Sequence, residues 1–184
     1  MSNRIPSVGT LVEAVAFAAD KHRAQRRKDI AASPYINHPI ALANVLANED
    51  WVTNLTALCA AVLHDTVEDT DTTEQELAER FGNDITSVVM EVTDDKSLDK
   101  ARRKELQIEH APHMSYAARL VKLADKISNL RDILASPPVD WSTERKQAYF
   151  DWAAQVVEGL RGTHPTLEGL FKAVYARRVE LGCQ

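Results

Sequence analysis

Apolar positions along the chain recur at three- and four-residue intervals almost throughout, and no segment shows sustained strand-like alternation. Thr10 and Glu13 read as a capping box, followed by an apolar face at Val12, Val15, Ala16 and Ala19. The polar segment 23–35 breaks at Pro34 and reads as a loop. Pro39 suits the first turn of a second helix with His38 at its cap. A third, strongly apolar helix starts at Thr53, runs through Leu55, Leu58, Cys59, Val62 and Leu63, and carries His64 and Asp65 near its end. Thr72 and Gln75 suggest another capping box, and Gly82 a stop. Ile85, Val88, Val89 and Val92 predict a further helix; the charged stretch 93–104 starts irregularly. Ser115 caps a long helix through Leu120, Leu123, Ala124, Ile127, Leu130 and Leu134, ended by Ser136-Pro137-Pro138. Ser142 or Thr143 opens a helix to about Leu160 with Gly162 as its stop, and Pro165 begins the last, ending near Gly182. The expected fold is all-α: one helical bundle of about eight to ten helices forming a single domain over residues 1–184.

Bulk properties narrow the functional classes. A chain of 184 residues can bury one substantial core. The net charge of −5 argues against a general electrostatic grip on nucleic acid or an anionic membrane. No apolar run approaches the roughly 20 residues of a membrane span, and residues 1–9 lack the apolar segment of a signal peptide. Cys59 and Cys183 form no CxxC pair, so a reducing compartment, the cytoplasm, is expected. Nothing in the sequence indicates an oligomer, although one is possible.

The candidate chemistry is a set of imidazoles and carboxylates. His38, His64, Asp65 and Asp125 come from three helical segments and offer a ligand set suited to Mn²⁺, Fe²⁺, Zn²⁺ or Co²⁺. Asp125 sits within Leu120-Val121-Lys122-Leu123-Ala124, where an unpaired carboxylate beside a core is costly and a metal would remove the cost. Glu68 and Asp69 follow His64 and Asp65 by four residues and share their faces if the helix continues. They suit proton delivery to a leaving oxygen and orientation of water. Four acids between Asp65 and Asp71 repel without a cation. The basic run Lys21, Arg23, Arg26, Arg27 and Lys28 can meet phosphate or stack on a base, whereas Lys96, Lys100, Arg102, Arg103 and Lys104 read equally well as a solvated helix face.

These motifs resemble a known family. His22-Arg23-x-Gln25-Arg26-Arg27-Lys28-Asp29, Pro34-Tyr35-Ile36-Asn37-His38-Pro39, Leu63-His64-Asp65-Thr66-Val67-Glu68-Asp69-Thr70 and Leu120-Val121-Lys122-Leu123-Ala124-Asp125-Lys126-x-x-Asn129-Leu130 are similar to the hydrolase half of the RelA/SpoT family, an HD-domain group. Glu91-Val92-Thr93-Asp94-Asp95-Lys96 and 151–157 extend the likeness, and the later segments most resemble the stand-alone small alarmone hydrolases. The resemblance implies a Mn²⁺-dependent (p)ppGpp 3′-pyrophosphohydrolase yielding GDP or GTP and pyrophosphate. It implies one Mn²⁺ on His38, His64, Asp65 and Asp125, and a catalytic acidic pair in Glu68 and Asp69. It also implies that Arg27 stacks on guanine, Lys28 meets base or phosphate, Tyr35 shapes the pocket and Asn129 bonds the nucleoside. Lys100, Arg145 and Tyr149 resemble residues near the phosphates. Asp132 stands where long members tend to have Thr, which bears on nucleotide preference. The chain ends before a synthetase domain could follow, so it is expected to degrade alarmone and not to make it.

Two other readings remain open from sequence. The pocket can accept another ribose-phosphorylated nucleotide such as NADPH, through its 2′-phosphate. Alternatively the domain is a catalytically silent nucleotide-binding module, for which the complete acidic set has no chemical use.

Overall fold

The computed structural model describes residues 5–182, so Cys183 lies outside the described residues. Ten α-helices are found there: α1 (Val8–Lys21), α2 (Asn37–Asn44), α3 (Leu55–Leu63), α4 (Thr66–Asp69), α5 (Glu74–Phe81), α6 (Asn83–Val92), α7 (Lys100–His110), α8 (Tyr116–Ala135), α9 (Thr143–Glu158) and α10 (Pro165–Ala176). A π-helical turn, Val45–Glu49, prolongs α2, and a 3₁₀ segment, Arg177–Gly182, follows α10. The extended pairing among the described residues is one antiparallel bridge, Arg26 with Pro34. The fold is the all-helical bundle expected from the periodicity.

Two helices form its axis. Every residue of α3 from Ala57 to Leu63 is buried, the mark of a helix with neighbours on all sides. It packs against α8 and is surrounded by α1, α2 and α6, while α2, α6, α9 and α10 pack on α8. Helix α8 spans 20 residues and buries Leu120, Val121, Leu123, Ala124, Ile127 and Leu130. It also carries a polar stripe at helical spacing, Lys122, Asp125, Lys126, Asn129 and Asp132. That stripe faces the cleft described below.

Several boundaries differ from the sequence reading. Helix α1 is capped by Ser7, whose side chain accepts from the Thr10 amide, and Thr10 closes a reciprocal box with Ser7 instead of starting one with Glu13. Its buried face is Ala14, Phe17 and Ala18, with Val12 and Ala16 exposed. The helix is rotated so that Phe17 packs edge-on against Phe81 at 5.4 Å; such an aromatic pair adds about 0.5–1.5 kcal/mol beyond its area burial. Asn54, not Thr53, caps α3, and Thr73, not Thr72, caps α5; Thr72 is buried and its hydroxyl pairs with Thr70. His38 lies inside α2 rather than at its cap, which is Ile36. The stops and caps at Gly82, Ser115, Ser142 and Pro165 are where the sequence places them, and Gly82 has the positive φ of 84° that favours glycine.

Candidate active site

The decisive local event is a break after Leu63. Helix α3 ends there, and Asp65 caps a new one-turn helix, α4. Side chains take the carbonyls that a continuing helix would use: His64 Nδ1–H donates to Ala61 O at 2.9 Å and Thr66 Oγ1 to Leu63 O at 2.7 Å. The helix does not continue from His64 to Asp69, so the shared faces that a continuous helix would give are not what gathers these residues. The break turns Asp65, Glu68 and Asp69 into the same cleft.

Donation through Nδ1 turns His64 Nε2 toward Asp65 Oδ2, 2.9 Å away. The Ala61 carbonyl fixes the ring's tautomer and angle, as such a bond does for a metal-binding histidine. The ligand atoms of His38, His64 and Asp65 lie within 4.8 Å of one another. His38 Nε2 faces Asp125 Oδ1 at 3.4 Å. Both imidazoles are buried. Burial disfavours the cationic form of His38, yet the carboxylates of Asp125, Asp132 and Asp65 outweigh it and raise its pKa to about 9. The pocket is thus short of positive charge, and two imidazoles with two carboxylates are a donor set that fits a divalent transition ion.

Asp125 is not the unpaired carboxylate that the sequence suggested. Lys126 Nζ donates to its Oδ2 at 3.0 Å and Asn129 Nδ2 to its Oδ1 at 2.6 Å. Although burial acts in the other direction, Lys126 and the histidines hold its carboxyl well below the usual carboxylate range. The crowd of acids after Asp65 is likewise relieved by cations distant in sequence. Lys96 pairs with Asp69, Arg103 Nη1 lies 3.7 Å from Glu68 Oε1, and Lys21 binds Asp71 at 3.1 Å. Tyr35 donates to Asp65 Oδ2 at 2.6 Å, with Asp69 Oδ2 3.0 Å from the same hydroxyl. Burial, then the charges of Asp65 and Asp94, push Glu68 up to about 7.

The cleft has two adjoining chambers. The inner one, about 210 Å³, is lined by the four candidate metal ligands together with Glu68, Asp69, Asp94, Gln107, Lys122 and Lys126. The outer one, about 420 Å³, is walled by Arg27, Lys28, Asn129, Ile133, Trp141 and Tyr149. Arg27, Tyr35, Asp69, Asn129 and Tyr149 line both. The outer wall is pinned by Arg27 N donating to Ser33 O at 2.8 Å and Val139 N to Lys28 O at 3.2 Å.

The HD-domain family description matches residues 14–157. The chain belongs to the HD-domain family. Among its relatives in this family, a zebrafish (Danio rerio) protein named guanosine-3′,5′-bis(diphosphate) 3′-pyrophosphohydrolase MESH1 is 53% identical over 172 residues, covering 94% of this chain and 96% of the relative. The human protein of that name is 55% identical, over 91% and 94% of the two chains. A solved structure described as a metazoan ortholog of SpoT that hydrolyzes ppGpp superposes with a TM-score of 0.90 at 46% identity, over 95% and 98% of the two chains.

Within this HD domain the sequence-selected residues are mostly gathered at one place. His38, His64, Asp65, Asp125, Glu68 and Asp69 line the inner chamber, and Arg27, Lys28, Tyr35, Asn129 and Tyr149 the outer one. Lys100 and Arg145 are exposed and line neither. Arg145 lies over the Trp141 ring at 4.5 Å. Burial and then the charges of Arg145, Lys28 and Arg103 lower the pKa of Lys100. Of the basic run, Lys21 and Arg23 are spent on Asp71, Glu76 and Asp20, and Arg102 on Glu105 and Glu109. Lys122, Lys126, Asp94 and Gln107 were missed. The polar stripe of α8 carries the signal for the two lysines and the 91–96 motif contains Asp94, whereas Gln107 has none that a single sequence displays.

Proposed function

We propose that this protein is a manganese-dependent guanosine-3′,5′-bis(diphosphate) 3′-pyrophosphohydrolase, acting in the cytoplasm on ppGpp and pppGpp to leave GDP or GTP and pyrophosphate. The observation that carries the proposal is the shared cleft: two buried histidines with Asp65 and Asp125, and an acidic pair, open directly onto a chamber lined by Arg27, Lys28, Asn129 and Tyr149. The names of its relatives supply the substrate class. No helix among the described residues is long and apolar enough to cross a membrane.

His38, His64, Asp65 and Asp125 would hold the ion, which when bound supplies Lewis acidity toward water and a phosphoryl oxygen. Arg27 offers a planar cation for the base, and Asn129 and Tyr149 flank the passage between chambers. Lys28, with Lys100 and Arg145, supplies fixed positive charge for phosphates. Water adds to the phosphorus attached to the ribose 3′ oxygen, and that P–O bond breaks. Glu68, whose pKa burial and the neighbouring carboxylates raise, gives its proton to the leaving 3′ oxygen. Asp69, held by Tyr35 and Lys96, orients the water and takes its proton.

The test is anion-exchange analysis of ppGpp incubated with metal-stripped protein, with and without Mn²⁺. Mn²⁺-dependent GDP and pyrophosphate are expected. Intact ppGpp with folded, Mn²⁺-loaded protein would discard the substrate, and release of phosphate from NADPH would then redirect it.

A further inference from the structure

A chain of hydrogen bonds crosses the inner chamber between two groups that the proposed reaction treats separately. It starts at Asp125 Oδ2, which accepts from Lys126 Nζ at 3.0 Å. The same ammonium donates to Gln107 Oε1 at 2.9 Å and lies 4.2 Å from the centre of the Trp152 ring. Gln107 Nε2 donates to both oxygens of Asp94, at 2.9 and 2.8 Å. The Asp94 backbone amide donates to Glu68 Oε2 at 3.2 Å. The direction of each bond is fixed, because an ammonium can only donate and a carboxylate only accept. The Gln107 amide can therefore stand one way round only.

The consequence is geometric. The Asp94 amide occupies Oε2 of Glu68 and leaves Oε1 to face Arg103 and Lys96, at 3.7 and 3.9 Å. Lys126 holds Oδ2 of Asp125 and leaves Oδ1 toward His38. Both choices meet in one side chain. Gln107 comes from α7, a helix with no fully buried residue, which leans on the core through the half-buried Ile108 beside it.

We propose that Gln107 is a positioning residue that joins the metal ligand Asp125 to the acid Glu68, through Lys126 on one side and Asp94 on the other. It sets the separation between the ion and the proton donor. The inference rests on the pyrophosphohydrolase reading for its rate effect, but its effect on metal binding does not depend on the substrate.

Two variants separate the halves of the relay. Gln107→Leu removes both bonds. Gln107→Glu keeps an oxygen for Lys126 but loses the donor to Asp94. Calorimetric titration of metal-free protein with Mn²⁺, steady-state hydrolysis of ppGpp and thermal unfolding are measured on each. Gln107→Leu is expected to weaken Mn²⁺ binding and lower kcat, each by about 10–100-fold, with KM unchanged. Gln107→Glu is expected to keep Mn²⁺ affinity while kcat falls as far. Wild-type kcat in either variant, or a Gln107→Leu protein that melts earlier but binds Mn²⁺ normally, overturns the proposal. If Gln107→Leu does not fold, Gln107→Glu is decisive, because its loss of rate at retained affinity is not a folding effect. Should wild-type protein leave ppGpp intact, the substrate reading fails and the Mn²⁺ titrations alone decide: unchanged affinity in Gln107→Leu sinks the relay.

Discussion

In the inner chamber nearly every polar side chain leans on another, whereas the outer chamber is walled by aromatic faces and tied by the ion pair of Arg27 with Asp132. Asp125, Lys126, Gln107, Asp94 and Glu68 are joined in series, and Tyr35 spans Asp65 and Asp69. Such a constellation is held near its working geometry before any ligand arrives. Arg27, by contrast, must leave or share Asp132 to meet a base. On the proposed reading, the chemistry belongs to a fixed scaffold and the nucleotide base to a wall whose Arg27 is held by a single ion pair.

Breaking the inner chamber should have the largest effect. His64→Ala or Asp125→Ala removes a direct donor, so bound Mn²⁺, measured by elemental analysis, and turnover should vanish together; full Mn²⁺ stoichiometry in either variant would remove that residue from the ligand set. Glu68→Gln keeps the metal and should lower kcat by roughly 10²–10⁴-fold, the usual contribution of a general acid. Near-normal kcat there would move the proton donor elsewhere. In the outer chamber, Arg27→Ala should raise KM about tenfold, in line with a cation–π contact of 1–2 kcal/mol, at unchanged metal content. An unchanged KM would take Arg27 out of base recognition.

The smallest effect concerns a residue in neither chamber. Cys59 is fully buried in α3, and burial raises its thiol to about 11. In a Cys183→Ser background, iodoacetamide at pH 8 should leave the folded protein unmodified and alkylate it after denaturation. Fast alkylation of native protein would mean that α3 opens readily, at odds with a rigid scaffold behind the metal ligands.

The legible parts of this molecule are those governed by local pattern. Helices α3 and α8 announce themselves by apolar content, and Ser115, Ser142 and Pro165 mark starts that the structure keeps. The face of α1 was misread because Phe17 answers to Phe81, 64 positions away in sequence. The break after Leu63 was hidden because side-chain hydroxyl and imidazole groups compete for carbonyls only once they are placed. The acids of α4 were legible as a charge problem; its solution by Lys96 and Arg103 was not, since those cations arrive from α7 and the loop before it. Gln107 is a neutral residue on a charged helix, and only its two partners in space, Asp94 and Lys126, give it meaning.

The most direct test of the account is crystallographic: anomalous scattering at the manganese edge from crystals grown with Mn²⁺. One peak is expected per molecule, in coordination contact with His38 Nε2, His64 Nε2, Asp65 and Asp125, with Glu68 outside the coordination shell. A peak bound by Glu68 or Asp69 in place of Asp125, or none in this chamber, would contradict the division between ion-holding and proton-carrying residues on which the mechanism stands.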